Sequence, residues 1–113
     1  MILLVDDDPD MRGLFEHWFK GYDYIITQNA DEAYSILRHK EIKLLVTDFA
    51  LHERLGSDLA LYSKEVLNIP SVVITGHTEI AGDLCRMFQH IFIKPVDRNA
   101  IMNTVKKLLD GKK

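Results

Sequence analysis

Five short apolar runs punctuate this chain: Ile2–Val5, Tyr24–Thr27, Leu44–Thr47, Ser71–Thr75 and Ile91–Ile93. Segments of helical periodicity separate them. Several of the runs are continuously apolar and do not alternate with polar residues. Strands buried on both faces read this way, as in a parallel sheet covered by helices. Strand–helix alternation leads to the same architecture, because parallel neighbours need a crossover and the crossover is usually a helix. The expected fold is α/β: a doubly wound (βα)5 three-layer sandwich around a five-stranded parallel sheet of order 2-1-3-4-5.

The helical segments carry their own punctuation. Asp8 followed by Pro9 is an N-cap with proline at the first helical position. Met11, Leu14, Phe15, Trp18 and Phe19 then recur at helical spacing, and Gly21 is the expected stop. Asn29-Ala30-Asp31-Glu32 resembles a capping box, with Ala33, Ile36 and Leu37 facing inward. A third helix is expected from near Ser57, using Leu59, Tyr62 and Val66. A fourth follows Thr78 with Ile80, Leu84 and Phe88 on one face. Asp97 caps a fifth, whose inner stripe is Ile101, Val105, Leu108 and Leu109.

The whole chain, residues 1–113, reads as one domain large enough for a single core. Its net charge of −3 argues against a nucleic-acid binder that relies on a broad basic surface. Cys85 is the only cysteine, so no internal disulfide and no thiolate metal cluster is expected, which fits a reducing cytoplasm. No apolar stretch approaches the length of a bilayer span, and the N-terminus lacks the basic region of a signal peptide.

The apolar runs end in chemistry. Ile2–Val5 meets Asp6-Asp7-Asp8, Leu44–Thr47 meets Asp48, and Ile91–Ile93 meets Lys94-Pro95. In a doubly wound sheet, ligands bind beyond the strand C-termini, at the switch point between strands 1 and 3. The topology therefore brings Asp6, Asp7 and Asp48 to that point. Carboxylates sharing a crevice repel one another and call for a cation. An all-oxygen, water-accessible set favours Mg²⁺ or Mn²⁺ over zinc.

Asp8 is sufficiently explained as a helix cap. Lys94 at a strand end has an acidic partner at hand, and Pro95 can lock the next turn through a cis bond. Thr75 can be a β-branched strand end or a hydroxyl that donates to a phosphoryl oxygen, with Gly76 beside it leaving room. A flavodoxin-like domain could instead hold a flavin phosphate. That requires a Ser-, Thr- or Gly-rich loop after strand 1, and here Asp-Asp-Asp-Pro-Asp would repel the anion.

Taken in order, Leu4-Val5-Asp6-Asp7-Asp8-Pro9, Val46-Thr47-Asp48, Gly56, Val73-Ile74-Thr75-Gly76 and Ile93-Lys94-Pro95 resemble a CheY-like receiver domain of two-component response regulators. The resemblance covers nearly the whole chain and implies a phosphoaccepting switch, not a conventional enzyme. It implies that Asp48 takes a phosphoryl group from a phosphohistidine on a sensor histidine kinase or phosphotransfer protein. Asp7, Asp48 and the Ala50 carbonyl would ligate Mg²⁺ directly, with Asp6 acting mainly through a bound water. Lys94 would pair with Asp48 and then with the phosphoryl group, and Thr75 would swing towards it. A downstream protein or fused output domain would read the change.

Three departures from the family accompany the match. His52 stands where a proline usually follows the phosphoacceptor, so the loop Phe49–Leu55 is expected to be more mobile than usual. Ile91 occupies a position often held by Tyr or Phe. Phe92 is no substitute, since strand alternation turns it to the opposite face. The stretch from Thr75 to Lys94 is a few residues short, which trims the fourth helix or its exit. These last two fall on the surface of the fourth helix, fifth strand and fifth helix, where receivers of this family commonly meet partners or form homodimers. They sustain an alternative, a phosphorylation-independent interaction module. A metal-dependent phosphatase of related topology would need an acid where Ala50 stands.

Overall fold

The first strand, β1 (Ile2–Val5), is buried along its whole length, as its continuous apolar composition requires. β2 (Tyr24–Thr27), β3 (Leu44–Asp48), β4 (Ser71–Thr75) and β5 (Ile91–Ile93) join it in one parallel sheet of order β2-β1-β3-β4-β5. The expected order and strands are therefore present, with β3 running one residue further to include Asp48. This computed structural model describes residues 1–51, 54–76, 88 and 90–110.

The sheet separates two cores by strict alternation. Leu3, Val5, Leu45 and Val73 face one side and meet Ala33, Leu37, Leu59, Ala60 and Phe88. Ile2, Leu4, Leu44, Val46, Val72 and Ile74 face the other and meet Phe15, Trp18, Phe19, Ile101 and Val105. Complete burial of an aliphatic or aromatic side chain of this size contributes about 1.5–3 kcal/mol. The two-sided core is thus the main source of stability. On β5, Ile91 packs with the first core and Phe92 with the second, so the aromatic ring does lie opposite Ile91.

Among the described residues there are four helices: α1 (Pro9–Trp18), α2 (Ala30–His39), α3 (Gly56–Glu65) and α4 (Arg98–Asp110). Asp8 caps α1 by accepting from the Asp10 N–H, and Asn29 caps α2 by accepting from the Glu32 N–H. Asp97 accepts from the Asn99 N–H at 3.1 Å at the start of α4. Gly21 lies in the left-handed region (φ 97°) after α1, the conformation glycine adopts without strain. The helix expected after Thr78 lies outside the described residues, save that Phe88 is buried in the first core.

Two inward assignments fail. Leu14 is 45% exposed, because the core-facing stripe of α1 is carried by Met11, Phe15 and Trp18 and residue 14 falls to its flank. Val66 is 64% exposed, because α3 ends at Glu65 and Val66 becomes its C-cap.

Candidate functional site

The register of β1 on β3 pairs Val5 with Thr47, so Asp6 emerges beside Asp48 at the carboxyl edge of the sheet. Asp7 hangs from the next residue of the same turn. Carboxylate oxygens of Asp6, Asp7 and Asp48 lie within 4.8 Å of one another. From β5, the Lys94 ammonium reaches back to 3.1 Å from Asp48 Oδ1 and 3.8 Å from Asp6 Oδ2. Lys94 precedes a cis bond to Pro95, and its backbone N–H donates to the Thr75 carbonyl at 2.8 Å. Thr75 is fully buried at the end of β4, one residue beyond Ile74, the register partner of Asp48.

The turn that carries the acids is tightly hydrogen-bonded. The Asp6 N–H donates to the Thr27 carbonyl at 3.2 Å, and Asp6 Oδ1 accepts from the Asp8 N–H at 2.9 Å. The other oxygen, Asp6 Oδ2, is the one buried side-chain oxygen or nitrogen among the described residues without a hydrogen-bond partner. Lys94 is too distant from it for a hydrogen bond. Buried carboxylate oxygens are rarely left so.

The electrostatics follow from this burial. Burial raises the Asp6 carboxyl to about 6, reinforced by the negative charge of Asp48 and Asp7 and opposed by the Asp8 N–H and Lys94. Asp48 is also raised by burial, although Lys94 attracts its ionised form and hydrogen-bonds to it. For Lys94 burial works against the charge, but attraction from Asp6 and Asp48 prevails and raises its pKa. One ammonium thus leaves the three acids under-compensated. The orphaned Asp6 Oδ2, the oxygen-only donors and the excess negative charge together fit a hard divalent cation such as Mg²⁺.

After Asp48 the chain turns back on itself. Ala50 forms an antiparallel bridge with Leu55, and the Leu51 N–H donates to the Arg54 carbonyl at 3.0 Å. The expected extra mobility of this loop centres on His52, which lies outside the described residues with Glu53. Both flanks are hydrogen-bonded. Arg54 adds a 3.1 Å pair with Asp31 on α2 and stacks over Tyr34, though the ion pair is exposed and weak.

Two further residues shape the site: Gly56, already among those that carry the resemblance, and Arg12, which composition and spacing do not single out. Gly56 begins α3 against Asp48 itself: a Cβ there would lie 1.7 Å from the Asp48 carbonyl oxygen and 2.8 Å from its carbon. Only glycine lets the β3 backbone and α3 approach this closely. Arg12 on α1 donates from Nη1 to the Asp6 carbonyl at 3.0 Å. Its position six residues after Asp6, in the first turns of a helix capped by Asp8, was the available signal.

A family model described as "Response regulator receiver domain" matches residues 2–106. The chain belongs to the response regulator receiver domain family. Receiver domains serve two-component signalling as switches and not as conventional enzymes. Response regulator receiver protein CpdR of Brucella abortus is 30% identical to this chain, over 96% of it and 95% of CpdR. Transcriptional regulatory protein GlrR of Escherichia coli is 27% identical over 96% of the chain. The chain spans about a quarter (26%) of GlrR's length. A crystal structure of response regulator protein TrrA from Thermotoga maritima, in complex with Mg²⁺-BeF, has the same fold (TM-score 0.83, 23% identity, 95% of this chain and 96% of that one). Among the described residues of this receiver, no helix is long and apolar enough to cross a membrane.

Proposed function

We propose that Asp48 accepts a phosphoryl group from a phosphohistidine on a sensor histidine kinase or phosphotransfer protein, in a reaction that requires Mg²⁺. The observation that carries this reading is the placement of Asp48, with Lys94 Nζ at 3.1 Å on one side and the Asp6 and Asp7 carboxylates on the other. The Mg²⁺-BeF complex of a chain of the same fold supports it.

Asp48 is the in-line nucleophile: its carboxylate oxygen forms a bond to phosphorus as the phosphorus–nitrogen bond of the donor breaks. Phosphoryl transfer demands chiefly positioning and neutralisation of the equatorial oxygens. Lys94 releases its hold on Asp48 and takes one of these oxygens, and the Thr75 hydroxyl takes another. Asp7, Asp48 and the Ala50 carbonyl would hold Mg²⁺ directly, and Asp6 Oδ2 would accept from a water on it. Mg²⁺, when bound, supplies charge neutralisation between the acids and the incoming phosphoryl group.

The reading takes residues 1–113 as one receiver domain acting in the cytoplasm, without direct nucleic-acid contact. Its output is a downstream protein or a fused output domain. A homodimer would use the face built from β5 and α4, where Ile93 is 43% exposed.

Incubation with acetyl phosphate or a cognate phosphodonor and Mg²⁺ tests the reading. The expected label is acid-stable and base-labile, depends on Mg²⁺ and is absent from Asp48→Ala. Labelling that persists in that variant, or a wild type that no donor labels, contradicts it.

A further inference from the structure

We infer that Arg12 is a positioning residue for the cation-binding turn, acting through the backbone and touching neither cation nor phosphoryl group. The inference rests on the proposed Mg²⁺-dependent phosphorylation of Asp48 and adds to it a residue for which that reaction had no use.

Three consecutive acids, Asp6, Asp7 and Asp8, link β1 to α1, and their mutual repulsion favours opening the turn. Arg12 fastens it at both ends. Its backbone N–H donates to the Asp8 carbonyl at 3.0 Å, as the first turn of α1 requires. Its guanidinium Nη1 donates to the Asp6 carbonyl, also at 3.0 Å. The Asp6 carbonyl belongs to the peptide that joins Asp6 to Asp7, so its orientation sets where both carboxylates point.

The surroundings make the contact matter. Asp6 is fully buried, with its N–H committed to Thr27 and its Oδ1 committed to the Asp8 N–H. Arg12 itself is half-buried. Between Ile2 and Met11 there is no other basic residue, and the segment carries Asp6, Asp7, Asp8 and Asp10. A guanidinium is always charged and its donors are fixed in a plane, which suits holding one carbonyl in a set direction. Residues that orient metal ligands in this way usually change affinity about 10–100-fold when removed.

Three variants separate the possibilities. Arg12→Ala loses the donor and the charge. Arg12→Gln keeps an N–H donor for the carbonyl and loses the charge, and Arg12→Lys keeps the charge on a flexible point donor. Mg²⁺ affinity is measured by titration calorimetry, and acetyl-phosphate labelling is followed at limiting and saturating Mg²⁺. Arg12→Ala is expected to weaken Mg²⁺ binding about tenfold and to slow labelling at limiting Mg²⁺. At saturating Mg²⁺ its labelling rate should return to within about twofold of wild type, because the groups that touch the phosphoryl group are intact. Arg12→Gln should restore most of the affinity.

Unchanged Mg²⁺ affinity in Arg12→Ala, with wild type responding normally, overturns the Arg12 assignment and leaves Asp48 phosphorylation standing. So does a variant that merely melts earlier with its affinity intact. If Arg12→Gln is as weak as Arg12→Ala while Arg12→Lys is normal, long-range charge is responsible and the carbonyl clamp is wrong. A wild type without any Mg²⁺ response removes the underlying function, and this inference with it.

Discussion

The two flanks of Asp48 are built to different standards. On the β1 side, Asp6 is fully buried, its N–H and one carboxylate oxygen are hydrogen-bonded, and its carbonyl is held by Arg12. On the β5 side stands one long lysine, its side chain 30% exposed, just past a strand whose residues are only half-buried or exposed. Buried like charges tolerate little misplacement, so the acidic flank is fixed from several directions. In the proposed reaction the cationic flank would give up Asp48 for a phosphoryl oxygen, and it is the less deeply buried of the two. The more deeply buried flank is where a cation would bind, and the more exposed one is where a switch would move.

The largest effect expected from breaking this contrast is at Gly56. Gly56→Ala drives a Cβ into the Asp48 carbonyl, so β3 or α3 must shift. Thermal unfolding should show a loss of about 2–5 kcal/mol, within the range for severe backbone conflicts. A variant as stable as wild type would mean that Asp48 is less rigidly seated than the contrast requires.

Lys94→Met comes next. It removes the one ammonium at 3.1 Å from Asp48 and should slow acetyl-phosphate labelling about 10²–10³-fold, as when a preorganised charge-stabilising group is lost. Mg²⁺ affinity should not fall, because a competing cation is gone. Weakened Mg²⁺ binding in this variant would show that the two flanks are not separable.

The acidic flank also predicts a pH dependence. The Asp6 carboxyl is raised in the folded chain to about 6 from an ordinary 3.8. A raised folded value means that its stabilising contribution is complete below about pH 4 and is lost as pH rises through 6. Asp48 shifts in the same direction. Without Mg²⁺, this part of the stability should decline from pH 4 to 7, and Asp6→Asn should flatten the decline. Mg²⁺ favours the ionised acids, so it should raise the melting temperature more at pH 8 than at pH 5. Equal Mg²⁺ stabilisation at both pH values would contradict the placement of Asp6.

The smallest effect is at Ile91, half-buried on β5 against the first core. Ile91→Ala should cost about 1 kcal/mol, less than for a fully buried isoleucine, and leave Mg²⁺ affinity and labelling unchanged. Loss of Mg²⁺ affinity here would erase the division between the flanks.

The sheet was legible because burial on both faces leaves a compositional mark. Ile2–Val5, Tyr24–Thr27, Ser71–Thr75 and Ile91–Ile93 are observed with the expected bounds. Caps at Asp8, Asn29 and Asp97 were equally plain, since short side-chain acceptors have few other uses at those places. Helix faces were less so. Periodicity alone does not say that Leu14 lies on the flank of α1 or that α3 stops before Val66. Topology was enough to gather Asp6, Asp7 and Asp48 at one sheet edge. The Arg12–Asp6 hydrogen bond and the Gly56–Asp48 approach depend on loop geometry, which apolar patterning does not encode.

Mapping the phosphoryl group tests the central claim most directly. After labelling with acetyl phosphate and Mg²⁺, borohydride reduces an aspartyl phosphate to homoserine, and peptide mass spectrometry locates the converted residue. Conversion should fall at position 48 and vanish when Mg²⁺ is chelated. Conversion at Asp6, Asp7 or any other acid in place of Asp48, or a phosphoryl group held on a histidine or serine, would contradict the account.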